Sequence, residues 1–208
     1  MARRPFAGQS VLLGSPPTLT ARKKICHDFG MAHIRRILKR YEEPGHVRCL
    51  TFSCYDRLPL FTNERIKQAF VDQLVLTRNR LHFELYGWVV MPEHTHLLLR
   101  PNLPKVTVTA ILHALKRPFA NKVLDRWRQL NAPILNRVRD TTGKPHFWLE
   151  GGGYDRNIVS KEELFEKLAY IHNNPIKCGL VERAADWRWS SAAWYERREG
   201  VPMDRLPI

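Results

Sequence analysis

His94-Thr95-His96 sets two imidazoles two residues apart. On a β-strand side chains alternate with a period of two, so both rings point to one face and their nitrogens can converge on a single ion. The pair needs a third ligand to become a site. Tyr170 and Asn174 stand four residues apart on a stretch whose apolar residues, Leu164, Leu168 and Ile171, recur at helical spacing. If the helical turn persists through them, a phenol and an amide share one face, a nucleophile beside an oxygen ligand. Two imidazoles and an amide oxygen leave positions open for phosphate oxygens, and this mixed, relatively hard set suits Mg²⁺ or Mn²⁺. Each residue also has an ordinary explanation: incidental histidines near a turn, an interface tyrosine, and a helix terminator at Asn174, because Pro175 pushes the residue before it out of helical geometry.

The elements that must position these groups can be read from periodicity. With 208 residues, 44% of them hydrophobic and 26% charged, the chain has the composition of one globular domain with a core. Residues 47–55 are strand-like, and residues 62–80 carry Ile66, Phe70 and Leu74 at helical spacing behind a Thr-Asn cap. Residues 83–90 alternate again, Met91-Pro92-Glu93 makes a tight turn, and residues 94–100 form the second strand of a hairpin. On that strand Thr95, Leu97 and Leu99 face away from the two imidazoles, toward the helices. Ile111, Leu115, Phe119, Val123 and Trp127 mark a long helix, with a kink expected at Pro118. Residues 146–149 are expected to be a short fourth strand, and Ser160-Lys161-Glu162-Glu163 is a capping-box sequence that opens the last long helix. The order βαββαβ with one more helix predicts an α+β, ferredoxin-like fold: an antiparallel sheet with helices on one face, the other face available, and an appended C-terminal helix carrying Tyr170. Residues 1–44 are expected to be a poorly ordered basic extension, with Met31 as an alternative start, residues 45–195 the domain, and residues 196–208 a tail.

The formal net charge is +14, which makes a polyanion the first partner to expect, nucleic acid before membrane. The excess is local: nine basic residues against three acidic in 1–46 and ten against two in 100–144, but nine against ten in 145–208. Lys116, Arg117, Arg126 and Arg128 are therefore candidates for contacts to a phosphate backbone, or else a solvated helix face. Gly151, Gly152 and Gly153 would let a backbone approach a nucleotide closely, or would simply make a turn. Trp187, Trp189 and Trp194 have packing as the first expectation and base stacking as the second. Glu93 is either a partner of His94 or a turn residue. No apolar run approaches the roughly 18 residues of a membrane span, so a soluble, cytoplasmic protein is expected. Four cysteines without a CxxC or framework spacing suggest reduced thiols, with Cys49 and Cys54 in the core.

Residues 84–100 (ELYGWVVMPEHTHLLLR), then Phe147-Trp148, Gly151 to Asn157 (GGGYDRN), and Tyr170 onward (YIHNNPIKCGLVER) with Asp186 to Ser191 (DWRWSS), resemble the single-tyrosine HUH transposases, in particular the REP-associated tyrosine transposases. The resemblance spans about residues 45–195. It implies that His94 and His96 are the paired histidines, Tyr170 the catalytic tyrosine and Asn174 the third metal ligand. It also implies cleavage and rejoining of single-stranded DNA through a 5′-phosphotyrosine, with Mg²⁺ or Mn²⁺. The implied substrate is a short imperfect hairpin from repetitive extragenic palindromes, and the implied state is a monomer, with a dimer that swaps the tyrosine helix as the alternative. The 1–46 extension and a long 129–146 connector depart from the shortest members. A second function is a DNA-binding regulator descended from such an enzyme, with little turnover. A third, an RNA-binding ferredoxin-like module, is disfavoured because His94, His96 and Leu98 stand where exposed aromatics would be expected.

Overall fold

A computed structural model of the chain describes residues 43–151 and 153–207. Residues 1–42 of the expected extension, the alternative start at Met31 and Gly152 lie outside the described residues. Four strands, β1 (Val47–Ser53), β2 (Glu84–Val90), β3 (His94–Arg100) and β4 (Tyr154–Ile158), form one sheet in the order β2-β3-β1-β4. All three neighbouring pairs are antiparallel. With α1 (Glu64–Leu81) between β1 and β2 and α2 (Val108–Gln129) between β3 and β4, this is the α+β, ferredoxin-like order expected from the sequence.

Strand alternation sorts the core into two halves. Leu50, Phe52, Leu97 and Leu99 turn to one face and pack with Phe70, Leu74, Ile111, Leu115 and Phe119 of α1 and α2. Cys49, Tyr86, Val89 and Leu98 turn to the other, where they meet Leu164, Leu168 and Ile171 of α3 (Lys161–Lys177). The face expected to be left available therefore carries the appended helix. A register shift between Leu85 and Gly87 marks a bulge in β2 that lets Tyr86 and Gly87 face α3 together.

Local chemistry explains the helix limits. Asn63 Oδ1 accepts from Arg65 N at 2.8 Å and starts α1, and Ser160 Oγ accepts from Glu163 N at 3.1 Å and starts α3. Pro118 lies inside α2 and cannot donate to the carbonyl of Ala114; Gln73 Nε2 on α1 donates to that carbonyl instead, at 3.3 Å.

The fourth strand is not where periodicity puts it. β4 is Tyr154–Ile158, which pairs with β1, whereas residues 146–149 run past the end of β1 with one bridge, Cys54 to Trp148. The apolar pattern there serves a plug rather than a strand: Phe147 and Trp148 wedge among Phe52, Phe61 and Phe119, with ring centroids 4.9–5.7 Å apart. The outer edge of β2 is covered as well. Val90 N donates to Trp189 O at 2.8 Å, Trp88 N to Ser191 Oγ at 2.9 Å, and Leu85 N to Asp204 Oδ2 at 2.7 Å. Trp189 is buried, Trp187 donates through Nε1 to Val90 O at 3.0 Å, and Trp194 packs against the same core, so the tryptophans serve packing. Cys49 and Cys54 are buried and free, as core residues.

Candidate active site

The sharp turn before β3 sets His94 and His96 on the face that α3 covers. His94 Nδ1 meets Glu93 Oε1 at 2.8 Å. A carboxylate only accepts, so Nδ1 carries a proton and the ring is turned with Nε2 toward His96. The β1–β3 register sets Thr51 opposite His96, and Thr51 Oγ1 lies 2.7 Å from His96 Nδ1. With both Nδ1 atoms engaged, the two Nε2 atoms point at each other across 2.9 Å. Burial, and then the neighbouring His94, push the His96 imidazole well below its ordinary pKa, so it is the neutral, ligating form that is stable there.

The last long helix brings the phenol to this pair. Tyr170 is half-buried, and its ring stands edge-on to His96 with centroids 5.8 Å apart and planes at 86°. Pro175 does not end the helix: α3 runs on to Lys177, with Cys178 N donating to Asn174 O at 3.0 Å. Asn174 thus keeps the face of Tyr170, one turn further on. Its side chain is buried and Nδ2 has no hydrogen-bond partner. An amide nitrogen and oxygen are told apart only by their surroundings, and a half-turn about the last torsion would offer Oδ1 in that position. Among the described residues no group of three or more His, Cys, Asp and Glu side chains gathers, so an ion here would rest on the two imidazoles and the amide. A converging imidazole pair and a buried amide with an unsatisfied end fit a small divalent cation with open positions for a phosphate.

The residues singled out for DNA contacts are not brought to that point. Lys116, Arg117, Arg126 and Arg128 all lie on α2, across the sheet from the imidazoles. Lys116 Nζ sits 5.2 Å from the Phe52 ring centroid and 5.5 Å from that of Trp148, an internal cation–π role. Arg128 pairs with Asp125 at 2.5 Å, and Arg117 and Arg126 are exposed. Gly151 has φ +64°, which a glycine adopts without strain. A Cβ on Gly153 would come within 2.9 Å of Thr51 O, so the close backbone approach found there is to the chain's own β1. Periodicity offers no signal for Thr51, whose place depends on which strand pairs with which.

The family described as Transposase IS200 like matches residues 45–174, a span from β1 to Asn174. A REP-associated tyrosine transposase of Escherichia coli K12 is 25% identical over 123 residues, 59% of this chain and 62% of that one. A Haemophilus influenzae protein provisionally given the same description is 25% identical over 160 residues, 77% of this chain and 87% of that protein. A solved REP-associated tyrosine transposase bound to a REP hairpin superimposes with a TM-score of 0.59 at 20% identity, over 82% of this chain and 91% of that one, and so shares the fold. With the family match covering more than half of the chain, and both histidines, Tyr170 and Asn174 inside it, the chain belongs to the IS200-like transposases.

Proposed function

We propose that the chain is a metal-dependent endonuclease and strand transferase for single-stranded DNA, working through a 5′-phosphotyrosine at Tyr170. The observation that carries this is the delivery of Tyr170, edge-on at 5.8 Å, to a histidine pair whose Nε2 atoms converge at 2.9 Å. His94, His96 and Asn174 would hold Mg²⁺ or Mn²⁺, which when bound draws charge from the non-bridging phosphate oxygens. The phenol oxygen of Tyr170 attacks phosphorus in line, gives up its proton, and displaces the 3′ oxygen of the preceding nucleotide. A phosphotyrosine on the 5′ side and a free 3′-OH remain, and because one ester replaces another, attack by a second 3′-OH can rejoin DNA without ATP.

Similarity to REP-associated proteins, one of them solved with a REP hairpin, supports such hairpins as the substrate. Within the chain α3 already brings Tyr170 to His96, so the site needs no exchanged helix, which supports a monomer as the working unit. The decisive experiment incubates the protein with end-labelled single-stranded DNA and Mg²⁺ or Mn²⁺, then looks for an adduct that survives denaturation. Wild type is expected to form it, and Tyr170→Phe to form none. Equal adduct from both proteins would move the nucleophile to another tyrosine, with Tyr154 the first to test.

A further inference from the structure

Lys177 Nζ lies 4.9 Å from the centroid of the Tyr170 ring. It stands seven residues, two helical turns, beyond that tyrosine, so Tyr170, Asn174 and Lys177 form one line along α3. Two neighbouring cations are neutralised: Lys167 on α3 pairs with Glu166 at 3.1 Å, and Arg156 on β4 pairs with Glu163 at 2.8 Å. Lys177 is exposed, and among the described residues it pairs with no carboxylate. A cation in the last turn of a helix is favoured by the helix dipole alone, but that interaction does not fold the side chain back over an aromatic ring two turns earlier. What the fold assembles is a proton-rich head group held beside the attacking phenol.

Building on the proposed function, we infer that Lys177 is a positioning residue that grips the DNA backbone at a phosphodiester next to the one Tyr170 attacks. An ammonium offers three donors and no acceptor, which suits a single backbone phosphate and carries no base preference. Held there, the neighbouring phosphate fixes the strand along α3, so that the scissile phosphorus is presented to Tyr170 rather than sliding past it.

The test walks one neutral methylphosphonate linkage across the cut site of a single-stranded oligonucleotide and measures its binding to Tyr170→Phe protein, with and without Lys177→Ala. With Lys177 present, one linkage beside the cut should weaken binding about tenfold, the scale of one charged hydrogen bond. Lys177→Ala should weaken binding to unmodified DNA by the same factor and become indifferent to that linkage. It should also lower the slope of log affinity against log salt by about 0.7, the loss of one phosphate contact on a single strand. Lys177→Arg should restore all three behaviours. If Lys177→Ala keeps the wild-type linkage profile, or loses thermal stability while DNA affinity is unchanged, the assignment is overturned. Since the readout is binding by a protein that cannot form an adduct, failure of the phosphotyrosine chemistry would show separately, in the cleavage assay.

Discussion

Thr51 fixes which nitrogen of His96 is turned toward His94. Its hydroxyl, 2.7 Å from Nδ1, is that nitrogen's partner in a nearly water-free position, and it holds the ring with Nε2 directed at the site. Glu93 does the same for His94 from the neighbouring position. Thr51→Val keeps the shape of the side chain and removes only the oxygen. Mn²⁺ affinity, followed by calorimetric titration, is expected to fall about 10- to 100-fold. Thr51→Ser should keep it. Unchanged affinity in the valine variant would mean that the ring is oriented by packing alone. The His-x-His pair is legible in the sequence because its spacing is local, but the hydroxyl that orients it comes from a strand 45 residues earlier and becomes visible only with the register.

At the scale of elements, the position of Tyr170 depends on how closely α3 sits on β2. A Cβ on Gly87 would come within 2.7 Å of Leu168 Cδ1 and 3.0 Å of Ile171 Cδ1, in a core where Ile171 is wholly buried. Gly87→Ala should therefore cost about 1–3 kcal/mol, the usual range for overpacking, and lift α3 with its tyrosine. Thermal unfolding and adduct yield should fall together; a loss of stability with full adduct yield would show that the side chains yield while the helix stays put. A second tie is His172, whose Nε2 lies 2.8 Å from Ser191 Oγ at the covered edge of β2. Burial pushes its pKa down to about 4 from an ordinary 6.5. The unfolded chain thus binds the proton more tightly. The stabilisation is complete above pH about 6.5 and is lost progressively toward pH 4, by about 3 kcal/mol at the limit. Because His96 titrates in the same direction, the measurement is the difference between wild type and His172→Asn in denaturant unfolding from pH 4 to 7.5; identical pH profiles would rule His172 out. The helices and the β2–β3 hairpin are legible because their apolar residues keep a clean period. β4 is not: Tyr-Asp-Arg-Asn-Ile shows little apolar alternation, while the aromatic run at 146–149, which has the better strand pattern, fills the core end of β1. Helix α3 passes through Asn174 because a single proline removes one donor and restricts one neighbour, which a helix packed along its whole apolar stripe can absorb.

For the whole molecule, charge and chemistry lie on different faces. Five of the ten basic residues in 100–144 ride on α2, across the sheet from Tyr170. A strand held against Tyr170 reaches that helix only where nucleic acid continues around the domain, as the far part of a hairpin would. The two sets of cations should then separate kinetically, with α2 contributing to capture alone and α3 to both binding and the chemical step. Of the four α2 candidates, Lys116 is engaged with aromatic rings and Arg128 with Asp125, which leaves Arg117 and Arg126, the latter held only by a 3.3 Å bond to Gln129 Oε1, as the side chains that meet phosphate at least internal cost. The double variant Arg117→Ala/Arg126→Ala should reduce the slope of log affinity for a hairpin against log salt by about 1.8, two duplex phosphate contacts at about 0.9 each. Its loss should appear in the DNA concentration needed for half-maximal adduct formation, not in the single-turnover rate at saturation, because neither guanidinium faces the reacting phosphate. A hairpin oligonucleotide should feel the change more than a short unstructured strand that ends near the cut. If instead the saturated rate falls while the salt slope stays that of wild type, α2 is not a docking surface and the basic central segment acts through the fold of the site itself.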